Sequence, residues 1–309
     1  MSQAPLLTPP SYDVITVFVD ETYLDDHSAL IQTAVPLTRR GIEVFDEVSH
    51  RLLAEDNRPN LKEFKAKNID ERNQSLYAKF LQRAINVIAE TSLQSPLRAI
   101  ITIESMDVYR GPRIASLINQ VKGARKKVGC VNEPKVFEEL ARQADWIVRF
   151  FKCICPTPVQ HHFSFVFDAK FRHYYEGKAM SAVQAPNGGP VIFWENSKML
   201  TSFLNTILEV ASDGQWHPQV HAMSFELSES HRALQACDTL CNLTLNSLRF
   251  RAGLVDALVR MKHEMLAVVS PGMEGPIKDL TVQGDKLICT NKTLRGKYIL
   301  DPIPPDASS

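Results

Sequence analysis

Asp20 closes the apolar run Val14–Asp20 (VITVFVD), and Asp168 closes a second one, His162–Asp168 (HFSFVFD). Both runs have the composition of core strands, so each carboxylate is expected at a strand end, where α/β sheets bind ligands. If the two strands are parallel neighbours, both carboxylates fall on the same side. A third acid, Asp238, lies in a helix that follows the last core strand expected, Gln219–Glu226. Its neighbours at i−4 and i+3, Leu234 and Cys241, are apolar, so that face turns inward. An acid there is costly unless it is paired or binds a cation. Two or three carboxylates around one point suit Mg²⁺ or Mn²⁺, hard ions that prefer oxygen ligands. Two such ions can activate water and stabilise the leaving oxygen of a phosphodiester. The plainer role for a strand-end Asp is that of a turn residue or helix cap.

The elements that must position these acids follow from periodicity. Ala29–Val35 reads as a second strand, joined to the first too tightly for a helical crossover, which predicts an antiparallel hairpin. Helical spacing covers Ile42–Ala54, and a helix capped by Asp70 runs to about Ile88. Leu97–Ile103 is a further strand. Val136–Ile154 is a long amphipathic helix ended by Pro156 and Pro158. Lys198–Val210 and His231–Phe250 read as helices. After them come a helix at about Gly253–Val269 and a small hairpin over Thr281–Ile299. Strands alternating with helices around a hairpin predict an α/β fold with a mixed sheet.

Four short motifs occur in order: Asp20-Glu21-Thr22-Tyr23, Glu63-Phe64-Lys65, Phe165-Val166-Phe167-Asp168 and Gln235-Ala236-Cys237-Asp238. Over roughly residues 12–250 the chain resembles a bacterial domain family of unknown function with an RNase H-like fold. That family carries Asp-Glu-Ser-Gly at a first strand, then Glu-x-Lys, a strand-end Asp and a Gln-x-Ala-Asp helix. The resemblance implies an RNase H-like mixed sheet flanked by helices; the elements read after residue 250 make 251–300 a C-terminal helix and hairpin extension. The Pro-rich ends, 1–11 and 301–309, read as tails. The resemblance also implies Asp20, Glu63, Asp168 and Asp238 as metal ligands and catalytic acids. Thr22-Tyr23 replaces Ser-Gly and Cys237 replaces Ala, changes that touch the approach to the site and remove no carboxylate.

Lys65 is placed to contact a phosphate or to orient Glu63; a solvated surface lysine is its plainer role. Gln235, one turn before Asp238, either bonds near the site or is an ordinary helix residue. Lys122–Lys127, with Arg110 and Arg113 nearby, is the basic run best suited to nucleic acid. Arg125, Lys126 and Lys127 would contact phosphates without reading sequence. Gln143-Ala144-Asp145 imitates the later helix motif but precedes the His162–Asp168 strand, so Asp145 is expected to face solvent.

Lys+Arg and Asp+Glu both number 35, so any attraction to nucleic acid must be local. Cys153-x-Cys155 beside His161-His162 matches no standard zinc spacing. Met1–Pro10 has neither a basic start nor an apolar core, which argues against a secretory signal. With six scattered cysteines, this predicts reduced thiols and a cytoplasmic setting. Two functions compete: a metal-dependent nuclease acting on RNA or DNA, and a catalytically silent RNase H-like protein that binds nucleic acid or a protein partner, the latter through 251–300.

Overall fold

The computed structural model describes residues 14–56, 63–91, 96–128, 134–156, 162–168, 197–212, 219–271, 273 and 277–302. β1 (Val14–Tyr23) and β2 (Ala29–Thr38) form the antiparallel hairpin expected from their short connection. The turn closes where the Leu24 N–H donates to the Ala29 carbonyl (2.9 Å), and His27 takes a φ of 59°. β3 (Ala99–Ser105) extends the meander antiparallel to β2. On the other side of β1, β4 (His162–Asp168) runs parallel to it, and β5 (Gln219–Glu226) runs parallel to β4. The outcome is a six-stranded mixed sheet, with parallel and antiparallel strands, flanked by helices, as expected from the sequence. β8 (Arg295–Leu300) completes the order β5-β4-β1-β2-β3-β8.

Partners across a ladder share a face. Phe18 and Asp20 of β1 therefore lie with Val35 and Thr33 of β2 on one face. Gln32 of β2 lies with Thr102 of β3 on the other. α7 (Arg232–Arg251) covers the first: the Cys237 thiol donates to the Phe18 carbonyl (3.3 Å), and Cys241 Sγ meets Thr33 Oγ1 at 3.1 Å. Around α7 pack α1 (Arg39–Glu55), α2 (Gln74–Thr91) and α8 (Ala257–Val269). Thr38 caps α1 by accepting the Gly41 N–H, and Asp256 caps α8 by accepting that of Val259. The second face belongs to α5 (Pro134–Ile154), whose Trp146 Nε1 donates to Thr102 Oγ1 (3.0 Å). α4 (Pro112–Val128) and α6 (Ser197–Ala211) pack on α5, and the short α3 (Met106–Tyr109) follows β3. Among the described residues, no helix is long and apolar enough to cross a membrane.

Two expectations are corrected. Asp145 is not solvent-facing but 4% exposed. Its carboxylate lies 2.7 Å from Arg149 Nε and 2.8 Å from Arg113 Nε. Arg149 also grips Glu104, a β3 residue 1% exposed, with a second bond at 3.0 Å. Burial works against the Arg149 charge, but hydrogen bonding and charge from Glu104 overcome it and raise its pKa. Arg113 is thereby engaged with Asp145. The hairpin expected over Thr281–Ile299 is shorter, formed by β6 (Leu280–Gln283) and β7 (Lys286–Cys289). The last part of that stretch is β8, a strand of the main sheet. Asp25 and Ser28 in the first turn tie this hairpin down, accepting the Leu287 N–H (3.0 Å) and the Cys289 N–H (2.7 Å).

Candidate carboxylate site

β1, β4 and β5 run parallel side by side, so their C-terminal ends share one edge of the sheet. The β1–β4 register ends with Val19 opposite Phe167, which makes Asp20 and Asp168 the next pair along it. Asp168 is itself paired with Glu226, the last residue of β5. Three carboxylates thus form a row on the face covered by α7. Asp20 does not end its strand: β1 continues to Tyr23 because the hairpin pairing persists as far as Leu30. Asp20 is 5% exposed, and its Oδ1 accepts the Glu21 N–H at 2.6 Å.

Glu63 reaches the site on a loop anchored by its neighbour. Phe64 is fully buried, stacked on Phe80 with ring centroids 3.9 Å apart and edge-on to Tyr77. Two residues of α7, one turn apart, hold this loop. Gln235 Oε1 accepts the Phe64 N–H (2.9 Å), and Asp238 Oδ2 accepts the Ala66 N–H (3.3 Å). Gln235 also uses its Nε2 to donate to the Ser228 carbonyl (3.0 Å). Ser228 Oγ in turn donates to Glu63 Oε1 (2.5 Å), while Lys65 Nζ lies 2.7 Å from Glu63 Oε2. The Glu63 carboxylate hydrogen-bonded to Lys65 raises the lysine pKa, and Glu229 and Asp238 add to the effect.

Glu226 has the same placement as Asp168 and was absent from the acids singled out in the sequence, although it ends the strand run QVHAMSFE. Its Oε2 meets His231 Nε2 at 2.5 Å, and its Oε1 accepts from Ser224 Oγ at 2.7 Å. The His231 bond, helped by Ser224 and opposed by burial, holds the Glu226 carboxyl below its usual value. The His231 ring also faces Phe18, with centroids 5.5 Å apart. Two more cations border the acids. Arg232 lies over the Phe64 ring and donates to Gln235 (2.9 Å). Lys262 of α8, 4% exposed, donates to Asn242 Oδ1 (2.8 Å); burial lowers its pKa and Asp238 opposes that. Arg232 opens α7 itself, three residues before Gln235, whereas Lys262 carries no sequence signal, since it becomes a neighbour only through the packing of α8 on α7.

The donors fit Mg²⁺ or Mn²⁺ in kind, being carboxylate oxygens on one sheet edge with one facing helix. In the present side-chain arrangement they are not closed around a point. Among the described residues, no group of three or more His, Cys, Asp or Glu side chains is placed to hold a metal ion. Cys237 is no nucleophile: burial first, and the Asp20 charge second, push its thiol well above the usual value. The basic run lies in α4, which packs with α5 and α6 in the layer opposite α7. The side chains of Arg125, Lys126 and Lys127 fall outside the described ones. Comparison with protein-family models, with curated proteins and with solved structures finds no match.

Proposed function

We propose that this protein is a metal-dependent nuclease that hydrolyses phosphodiester bonds in RNA or DNA. Asp20, Glu63, Asp168 and Asp238 are its acids, and Glu226 is a fifth. The observation that supports this reading is the register: the β1–β4 and β4–β5 ladders set Asp20, Asp168 and Glu226 side by side on one face of one sheet edge. Mg²⁺ or Mn²⁺, when bound, supplies the positive charge that phosphoryl oxygens need in the transition state. The chain's own residues do the rest. Gln235 and Ser228 orient Glu63, Asp238 docks the loop that carries it, and His231 fixes Glu226. Lys65 is the counter-charge within reach of a phosphate, and Arg125, Lys126 and Lys127 are assigned to phosphates further away. The free thiols of Cys153, Cys155, Cys237, Cys241 and Cys289 support a reducing, cytoplasmic setting.

One observation favours the rival reading, a catalytically silent RNase H-like protein that binds nucleic acid or a protein. Glu63 and Asp238 are engaged in bonds that hold the loop. The test is Mn²⁺ titration by calorimetry, beside cleavage of labelled single-stranded RNA, DNA and an RNA–DNA hybrid. Wild type should bind and cut. Asp168→Asn should lose both while remaining folded. Wild type that neither binds Mn²⁺ nor cuts any substrate would leave the silent reading standing.

A further inference from the structure

At the end of β4 opposite Asp168, two imidazoles meet. His162 opens β4 and pairs with Gln219, and Phe163 pairs with Val220. The register then slips, so that Ser164 pairs with Ala222. His221 is the extra residue of this bulge. A bulge re-aims the side chain it carries. Here it brings Nε2 of His221 into contact with Nδ1 of His162, with ring centroids 4.0 Å apart. His162 is half-buried and His221 exposed, so solutes reach both rings. His221 also lines an open cleft of about 620 Å³ whose wall includes Asn205, Glu209 and Gln219. Asn205 pins α6 against β5, donating to the Val220 carbonyl (2.7 Å) and accepting the Val220 N–H (3.1 Å). Glu209 stands one turn further along α6.

We propose that His162 and His221 form a binding site for one divalent transition-metal ion of the zinc, nickel and copper class. The two ring nitrogens face each other, and a small rotation of either ring would let both meet one ion; such ions take imidazole nitrogen, whereas Mg²⁺ and Mn²⁺ prefer oxygen. Between themselves, two neutral imidazoles gain one hydrogen bond, with a net worth of about 0.5–1.5 kcal/mol. Coordination uses both lone pairs at once. Burial and the neighbouring His162 both lower the His221 pKa, so its ring is neutral and able to coordinate near pH 7. Glu209 on the cleft wall adds the negative potential that draws a cation in. The site is separate from the acids: six residue steps of roughly 3.3 Å place it about 20 Å away along β4.

The experiment is calorimetric titration of the full chain with Zn²⁺, and Cu²⁺ electron paramagnetic resonance on the same samples. With excess Mg²⁺ present to occupy the carboxylates, one Zn²⁺ should bind at pH 7.5, and its binding should weaken as the pH is lowered because protons compete for the ligand nitrogens. His221→Ala and His162→Gln should each weaken it at least tenfold, whereas Asp168→Asn should leave it unchanged. The Cu²⁺ spectrum should show coupling to two nitrogens in wild type and to fewer in either histidine variant. Equal affinity and identical spectra in wild type and both folded histidine variants would overturn the proposal. So would the absence of saturable binding, and the contact would then be a hydrogen-bonded imidazole pair only.

Discussion

Arg149 is the residue on which the α5 layer turns. It reaches from α5 to β3 and satisfies two acids, Asp145 and Glu104, that are almost wholly removed from water. Removing one partner of a buried pair strands the other charge. Arg149→Met should therefore destabilise the fold by about 3–5 kcal/mol, read as a lower urea midpoint with an unchanged slope. Adding Glu104→Gln to that variant should recover part of the loss, and failure to recover any would mean that Arg149 acts through packing alone. This network also marks where the sequence stops being legible. The i,i+4 relation of Asp145 to Arg149 is visible in it, but Glu104 lies 45 positions from Arg149, and only the fold joins them. A lone acid on a helix defaults to solvent unless its partner can be seen. Asp20 and Asp168 were legible because each ends a run whose apolar character is local. Glu226 ends such a run too, and the same reasoning would have found it.

At the scale of elements, α7 is the organiser. Its thiols bond β1 and β2, and its Gln235 and Asp238 take alternate amides of the Glu63 loop. One helical turn thus matches one two-residue step of extended chain, which is a physical reason for the Gln-x-x-Asp spacing quite apart from metal. Gln235→Ala leaves the buried Phe64 N–H without its acceptor, at a cost of about 1–3 kcal/mol. Hydrogen exchange at the Phe64 and Ala66 amides should speed up by about tenfold for each 1.4 kcal/mol lost. Gln235→Glu keeps an acceptor and should restore slow exchange at Phe64. If exchange in the alanine variant matches wild type, Gln235 does not hold the loop. The strands and most helices could be read from periodicity, since their faces are apolar at regular steps. The loop could not: its charged composition conceals Phe64, a buried anchor whose partners Tyr77 and Phe80 belong to the next helix.

Across the whole molecule, the chain returns to its beginning. Asp25, in the first turn, receives Arg249 from α7 and the Leu287 N–H from the last hairpin, and β8 closes the sheet beside β3. The region after 250 is therefore part of the main sheet as well as an appendage to it. Ending the chain before Arg295 should expose the backbone edge of β3, a strand in which every residue is buried. Such a variant should run as soluble aggregates on size exclusion, or unfold at a clearly lower urea concentration. A monodisperse monomer of wild-type stability would show that β8 is dispensable. The β3–β8 contact also has a meaning in time. At its end, Ser105 Oγ donates to the carbonyl of Lys292, three residues before β8 and 187 residues later in the chain. At roughly 5–20 residues per second, a ribosome takes about 10–40 seconds to cover that distance. For this interval the nascent chain carries the hydrophobic ribbon of β3 with one margin lacking its partner strand, an edge open to premature pairing until the final strand emerges.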